Sequence, residues 1–454
     1  MENKVIFKLI ESWAEPEGKV YSTDELLKWV EERNSNINVN IRKINPLDDK
    51  VWQYIEEEGI IANHQRSFFT ISGFALGKVQ QPILIQDEIG YLGILCKEID
   101  GVLHMLMQAK IEPGNVNKIQ ISPTIQATKS NFLQKHGGKL PAYLDYFLNA
   151  HKHKIIVDQI QSEQASRFVG KRNRNIIIAV DETVDVEVLP SHRWMTLGQI
   201  KQLMKHDNLV NMDTRTVISC VPFHLAEPET VETFFKDKAL YRSIFKGDHT
   251  NHLPEIYNYI NNERMFNNEK PRLVPLNSMQ DWKWHNGEFI HKHGYHFKIV
   301  FCDISIEGRE VKHWTQPLFE AMGMATFGLI CCEVDGILRF IVKCKKEVGN
   351  FDGPELGPTL QLEADEQPAD NIERFFMSCF EQRHGVYKSV VLSEEGGRFY
   401  HEQNRNIILR LEAEEIPPLP KGYFMVDYKT LSNLVQINNT LNIQLRNLLS
   451  LLEV

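Results

Sequence analysis

Residues 81–126 and 316–361 are one segment written twice. At a constant offset of 235, with no gap, 15 of the 46 pairs are identical. The matches fall on residues that shape backbone and sites: Gln81/Gln316, Pro82/Pro317, Gly93/Gly328, Asp100/Asp335, Gly101/Gly336, Lys110/Lys345, Glu112/Glu347, Gly114/Gly349, Asn115/Asn350, Pro123/Pro358, Thr124/Thr359 and Gln126/Gln361. A second block recurs at an offset of 231, pairing Ser162-Glu163, Arg167-Phe168 and Asn173–Ile177 with Ser393-Glu394, Arg398-Phe399 and Asn404–Ile408. Two copies of this length do not make a solenoid, whose units run to about 20–50 residues and stack in larger numbers. The chain is a duplicated globular unit. The expected organisation is an N-terminal extension over 1–45, a first repeat over 46–221, a mostly helical connector over 222–274 and a second repeat over 275–454. Pro275-Leu276 answers Pro46-Leu47.

A formal net charge of −9, with no basic run, argues against nucleic acid as a partner. No stretch approaches ~18 uninterrupted apolar residues, and no basic segment leads an apolar one at the amino terminus. A cytoplasmic protein without a membrane partner is expected. The seven cysteines contain no CxxC pair, so they read as buried thiols rather than cluster ligands. His285, His291, His293 and His296 have no counterpart set in the first repeat, and alternation would scatter them, so no metal site is expected.

The centre of each copy reads as β. Leu92–Glu98 is an apolar run, Asp100-Gly101 a hairpin turn and Val102–Glu112 the return strand. Along the return strand Leu103, Met105, Met107, Ala109 and Ile111 alternate with His104, Gln108, Lys110 and Glu112. After a turn at Pro113-Gly114-Asn115, Ile119–Thr128 alternates as well. Ile119, Ile121, Ile125 and Ala127 take one face, and Gln120, Ser122, Thr124, Gln126 and Thr128 the other. Two such strands make a surface of hydroxyls and carboxamides with a lysine, a glutamate and a histidine. It is either the wet face of an antiparallel sheet or a surface suited to an uncharged, polyhydroxylated ring, because its groups both donate and accept. Lys171-Arg172-Asn173-Arg174 is either a phosphate clamp or a solvated charge cluster. The recurring cations Arg174/Arg405, Arg167/Arg398 and Arg215/Arg446 are better phosphate candidates than the cluster itself. No GxGxxG opens a βαβ unit, and nothing surrounds Lys110 that would mark a pyridoxal phosphate lysine.

Gln108–Asn115, followed by Gln120–Asn131 with its Gln-Ile-Ser-Pro-Thr-Ile-Gln-Ala-Thr-Lys-Ser-Asn run, resembles the signature of the NDP-hexose 2,3-dehydratases. His64 with Phe68-Phe69, Gln161–Gln164, Lys171–Asn175 and Asn211–Val217 resemble further blocks of that family, and the likeness covers both halves. It implies an α+β fold: two tandem Nudix-like domains from an internal duplication, each with a mixed or antiparallel sheet flanked by helices. The Nudix box is absent, since Gly308-Arg309-Glu310 is not followed by the glutamates that would hold a metal. It also implies a homodimer acting on dTDP-4-keto-6-deoxyglucose or a similar nucleotide sugar.

That reaction removes water across C2 and C3, giving the 3,4-diketo-2,6-dideoxy sugar. A base takes the C3 proton acidified by the C4 carbonyl, an acid assists the departing C2 hydroxyl, and donors stabilise the enolate. No cofactor is required, and a 3-ketoreductase or aminotransferase downstream would consume the diketone. Under this reading Glu112 or His104 is the base, Tyr143 or His136 the acid, and Lys110 with Gln108 or Asn115 the enolate stabiliser. Lys110 and Glu112 read equally as an ion pair along one strand. Asn115, Gln120, Ser122, Thr124, Gln126, Thr128, Ser130 and Asn131 are the expected sugar contacts. Arg167, Arg174 and Arg215 are the expected phosphate contacts, and Trp194 or Phe68 the base-stacking ring. His104 becomes Arg339 in the second copy, Gln108 becomes Lys343, Gln120 becomes Glu355 and Ser122 becomes Gly357. The first copy is therefore expected to hold the working site. The competing reading is a non-catalytic tandem Nudix-like protein that binds a nucleotide sugar; a pyrophosphohydrolase is a third, opposed by the missing box.

Overall fold

Asp100 and Gly101 both adopt positive φ (48° and 80°), as do Asp335 and Gly336 (52° and 75°), the backbone that a two-residue hairpin turn requires. Each turn joins the two central strands of a seven-stranded mixed sheet in the computed structural model, which describes residues 2–132, 140–248, 252–267, 269–307 and 311–454. In the first half Gly90–Ile99 pairs antiparallel with Val102–Ile111 and parallel with Arg172–Ala179, which in turn pairs with Lys154–Ser162. In the second half Ala325–Val334, Ile337–Lys345, Gln403–Glu412 and Val386–Ser393 repeat that arrangement.

Two further sheets show how the repeats are joined. Val39–Ile44, which precedes the first repeat, pairs with Phe297–Ile306 of the second. Arg272–Val274, which precedes the second repeat, pairs with Thr70–Leu76 of the first. Each lead strand thus completes the other repeat's sheet. Helices Met212–Ser219 and Ile443–Leu449 also pack on one another. One continuous apolar core runs from Ile6 through Met105 and Val217 to Phe340 and Leu452, and binds both halves into one body. Helix Thr23–Ser35 carries its own cap: Ser22 forms a capping box with Glu25.

The alternation in Val102–Ile111 holds, with Leu103, Met105, Met107, Ala109 and Ile111 all in that central core. Ile119–Thr128 does not stay a single strand. Ile119–Ser122 pairs with Val102–Ile111, and Ile125–Ala127 crosses to Gly90–Ile99. Pro123 cannot donate to a ladder, which breaks the run. Ile125 and Ala127 accordingly enter a separate core with Leu106, Phe147 and Trp194. At the crossing Thr124 Oγ1 donates to Leu106 O (2.5 Å) and accepts from Leu95 N (2.8 Å). Thr359 does the same between Ile341 and Ile330.

One close contact between the halves is made by backbone alone. Gly114 N donates to Gly396 O (2.7 Å), and Gly349 N to Ala165 O (2.8 Å). A Cβ on Gly114 would run into the Phe399 carbonyl oxygen, and one on Gly349 into that of Phe168. Gly349→Ala should therefore lower the thermal midpoint by roughly 5 °C or more, read by calorimetry, because the obstacle is backbone that has no rotamer to change.

Candidate active site

The strand Val102–Ile111 ends at the interlocked turn, which sets its polar face over a cavity of about 570 Å³. Gln108, Lys110, Glu112, Gln126, Thr128 and Ser130 line it, as does Phe68, which holds an unusual φ of 98°. The second half closes the cavity with Glu395, Gly397, Arg398 and the segment 314–316.

Lys110 Nζ lies 3.3 Å from Glu112 Oε1 and 3.3 Å from the Gln126 carbonyl oxygen. Gln126 Nε2 donates to Glu112 Oε1 (3.1 Å), and its own amide oxygen accepts from Asn211 Nδ2 (3.1 Å) and Ser122 Oγ (3.3 Å). The second half rebuilds this array: Lys345 on the Gln361 carbonyl, Gln361 Nε2 on Glu347 (2.9 Å), and Asn442 on Gln361 (2.9 Å). Thr128 and Ser130 bond one another (2.9 Å), and Ser130 Oγ donates to Glu88 (2.9 Å).

Several expected site residues are structural instead. His104 is buried off the cavity wall; its Nδ1 bonds Val102 O (2.9 Å) while its Nε2 accepts from Lys19 N (3.2 Å). That pair of contacts fits a neutral ring protonated on Nδ1, burial lowers its pKa, and both ring nitrogens are occupied by backbone partners. Tyr143 Oη donates to Glu187 O (2.8 Å) and accepts from Leu189 N (3.1 Å), and is not part of the lining. Asn115 ties the turn through Lys118 O (2.8 Å). Gln120 bonds Ser393 Oγ of the other half (2.5 Å). Thr124 lines the cavity, but its hydroxyl is the strand wedge already described.

The arginines move as well. Arg174 is held by Asp158 in a bidentate pair (both 2.6 Å). Arg215 is fully buried and bonds Val210 O (2.7 Å) and Ser393 O (3.0 Å), while Arg446 bonds Ser162 O in the mirror contact. These two tie the repeats together. Arg167 crosses into the second half, where Glu363 (3.1 Å) and Glu402 (3.4 Å) take it. Trp194 is a core residue beside Leu106 and Phe147. The side chain of Asn131, all of His136 and the Gly308-Arg309-Glu310 segment lie outside the described residues.

What the cavity holds instead is Lys171 and Arg398 as cations, with Glu163, Asp213 and Glu395 as further carboxyls. Arg398 sits 4.5 Å over both Phe68 and Phe69 and donates to Gln86 Oε1 (3.1 Å). Lys171 donates to Glu88 O, and burial lowers its pKa. Glu163 is raised by burial and accepts from Asn173 (2.7 Å). Asp213 is raised well above the carboxylate range, first by burial and then by Glu163, Glu395 and Glu112. His192, beside Gln108 on the adjacent strand, is pushed down to about 4 by burial and bonds Thr124 O (3.1 Å). A signal for the missed carboxyls was present in the repeat: at offset 231 Asp213 faces Gln444, and Glu395 faces Gln164. Among the described residues no group of three or more His, Cys, Asp or Glu is arranged to hold a metal ion, and no helix is long and apolar enough to cross a membrane.

A duplicated α+β chain with a polar, charge-lined cavity between its halves defines a class of small-molecule enzyme or binder. Its sequence narrows the class. The profile of the NDP-hexose 2,3-dehydratases matches residues 23–221 and again 253–452, and the chain belongs to that family. A protein of Saccharopolyspora spinosa is 36% identical over 444 residues, covering 94% of this chain and 90% of its own. One of Amycolatopsis orientalis is 33% identical over 462 residues (97% and 92%), and one of Streptomyces violaceoruber 34% over 440 (93% and 95%). Each carries the name dTDP-4-dehydro-6-deoxy-α-D-glucopyranose 2,3-dehydratase.

Tyr143→Phe should leave the affinity for thymidine diphosphate within about threefold, a ~0.5 kcal/mol perturbation. Lys171→Met should weaken it about tenfold or more, since a charge-assisted phosphate contact is worth roughly 1.5–3 kcal/mol. Titration calorimetry reads both.

Proposed function

We propose that this chain is a cofactor-independent lyase that removes water across C2 and C3 of a dTDP-4-keto-6-deoxyhexose, yielding the 3,4-diketo-2,6-dideoxy sugar nucleotide. The observation that carries this reading is the Lys110–Glu112–Gln126 array opening on a cavity that also holds Lys171 and Arg398. The three relatives named as dehydratases, each matched over almost its whole length, support it against a non-catalytic sensor.

The working site is the cavity of the first repeat. Lys171 and Arg398 receive the diphosphate there, and Phe68 with Arg398 over its ring flanks the nucleoside. Gln108, Thr128 and Ser130 offer the sugar uncharged hydrogen-bond partners. Glu112 takes the C3 proton. Lys110 Nζ, 3.3 Å from Glu112 Oε1, stands where it can neutralise the charge growing on O4 of the enolate. In the second repeat the equivalent cation Arg167 is occupied by Glu363 and Glu402, at positions where the first repeat has Thr128 and Lys171. That internal pairing disfavours a diphosphate there. Each repeat is read as a Nudix-like unit put to a different use. The boundaries at 45, 221 and 274, a cytoplasmic homodimer and a downstream 3-ketoreductase or aminotransferase belong to this same reading and rest on the sequence and the family resemblance.

Incubation with dTDP-4-keto-6-deoxyglucose in deuterated water, with a 3-ketoreductase and reduced nicotinamide as trap, should give a product lighter by one water with deuterium at C2. Lys110→Met should cut turnover by roughly 10²–10³-fold and remove exchange of the C3 proton with solvent. A bound but unaltered sugar would favour the sensor.

A further inference from the structure

With Tyr143 committed to backbone partners and His136 outside the described residues, the carboxyls of the cavity wall are the candidates for the acid that a departing C2 hydroxyl needs. Asp213 and Glu395 both line the cavity, and no hydrogen bond or ion pair holds either carboxyl group among the described residues. They differ in this from Glu112, held by Lys110 and Gln126, and from Glu163, held by Asn173.

The repeat provides an internal comparison. The lysine, glutamate, glutamine and asparagine of the Lys110 array are kept in both halves. The counterparts of Asp213 and Glu395 are Gln444 and Gln164, the carboxyl replaced by an amide both times. An amide keeps the polarity and cannot give up a proton at neutral pH. Acidity is therefore what sets the first cavity's pair apart.

The local backbone is built around Glu395. It heads the run Glu395-Gly396-Gly397-Arg398, which crosses from the second half to the Gly114 turn of the first; the reciprocal run is Gln164-Ala165-Ser166-Arg167. A Cβ on Gly397 would collide with Glu395 Oε1 and stand 3.5 Å from Glu112 Oε1, so the two carboxyls face each other across that glycine. A Cβ on Gly396 would meet Asn115 Oδ1 and come within 3.0 Å of Glu112 Cβ. The double glycine lets the loop press flat enough to bring Glu395 beside the base.

We propose that Glu395, donated across the interface by the second repeat, is the general acid that protonates the leaving C2 hydroxyl, with Asp213 as the neighbouring carboxyl that shares and restores its proton. This rests on the dehydratase reading above. In the step, Glu112 takes the C3 proton and the electron pair becomes the C3–C4 double bond of an enolate. As the C4 carbonyl re-forms, the C2–C3 double bond forms, the C2–O bond breaks, and the hydroxyl leaves as water with the Glu395 proton. The O3 proton then passes by way of Asp213 to Glu395, and Glu112 delivers its proton to C2, which turns the enol into the diketone and resets both carboxyls. No oxidant or reductant enters. The surroundings suit the role: Lys110, Glu112, Glu163, Lys171, Asp213 and Arg398 face the group, and burial, opposed by Arg398 and aided by Glu112 and Glu163, pushes Glu395 up to about 7.

The test is Glu395→Gln in the full chain, with Asp213→Asn beside it, assayed on dTDP-4-keto-6-deoxyglucose in deuterated water. Glutamine is what the other repeat carries at this position, and unchanged thymidine diphosphate binding verifies the fold. The expected result for Glu395→Gln is dehydration slower by about 10²–10⁴-fold, with C3 deuterium still entering the recovered, undehydrated sugar. The acid is needed protonated, so wild-type kcat should fall as pH rises through about 7, and that limb should vanish in Glu395→Gln. Asp213→Asn should slow turnover and shift the same limb. Dehydration by Glu395→Gln within about threefold of wild type would overturn the proposal, as would loss of C3 exchange together with dehydration, which would make Glu395 the base. A wild-type protein that binds the sugar and never dehydrates it would instead overturn the dehydratase reading, and this assignment with it.

Discussion

Two backbone hydrogen bonds, Gly114 N to Gly396 O and Gly349 N to Ala165 O, hold the rest of the molecule in register. They place the loop of each repeat against the turn that ends the other's main polar strand. The approach is possible because neither turn carries a side chain at the contact. Around these points the buried polar groups also cross between repeats: Arg215 to Ser393, Arg446 to Ser162, Gln120 to Ser393 and Ser162 to Glu355. Burying two arginines costs less when their guanidinium groups meet carbonyl oxygens fixed by the opposite half. The lead strands, exchanged between sheets, extend the same logic to the periphery.

Because the halves interlock at this site, the cavity does not belong to one repeat alone. It is floored by strands of the first repeat and closed by Glu395 and Arg398 of the second; the equivalent loop sends Arg167 the other way, to Glu363 and Glu402. A substitution in the second repeat therefore alters the chemistry of the cavity in the first. Glu363 and Glu402 neutralise Arg167, and two amides stand where the first cavity has carboxyls. Duplication supplied two equal frames, and a handful of charge changes made them unequal.

Much is legible in the chain. The duplication, the Asp-Gly hairpins and the inward stripe Leu103–Ile111 follow from identity and period alone. The array of Lys110, Glu112 and Gln126 is legible as residue types on facing strands. His104 reads as a base from its strand position, yet its place near the hairpin end brings the N-terminal segment over it, a contact 85 residues away in sequence. Arg174, Arg215 and Arg167 mislead because recurrence marks a residue the fold needs as readily as one the ligand needs. Thr124 reads as a sugar contact, although its recurrence as Thr359 reflects one hydroxyl bridging two strands.

The sequence by itself determined the repeat, the strands and the family, because those depend on local period and on identities that can be counted. Only the tertiary structure decided which carboxyls and cations meet. Glu395 and Glu112 stand more than 280 positions apart, and nothing local couples them. Their encounter depends on a backbone contact between glycines of opposite repeats, and periodicity carries no information about a surface that forms only when both halves are folded.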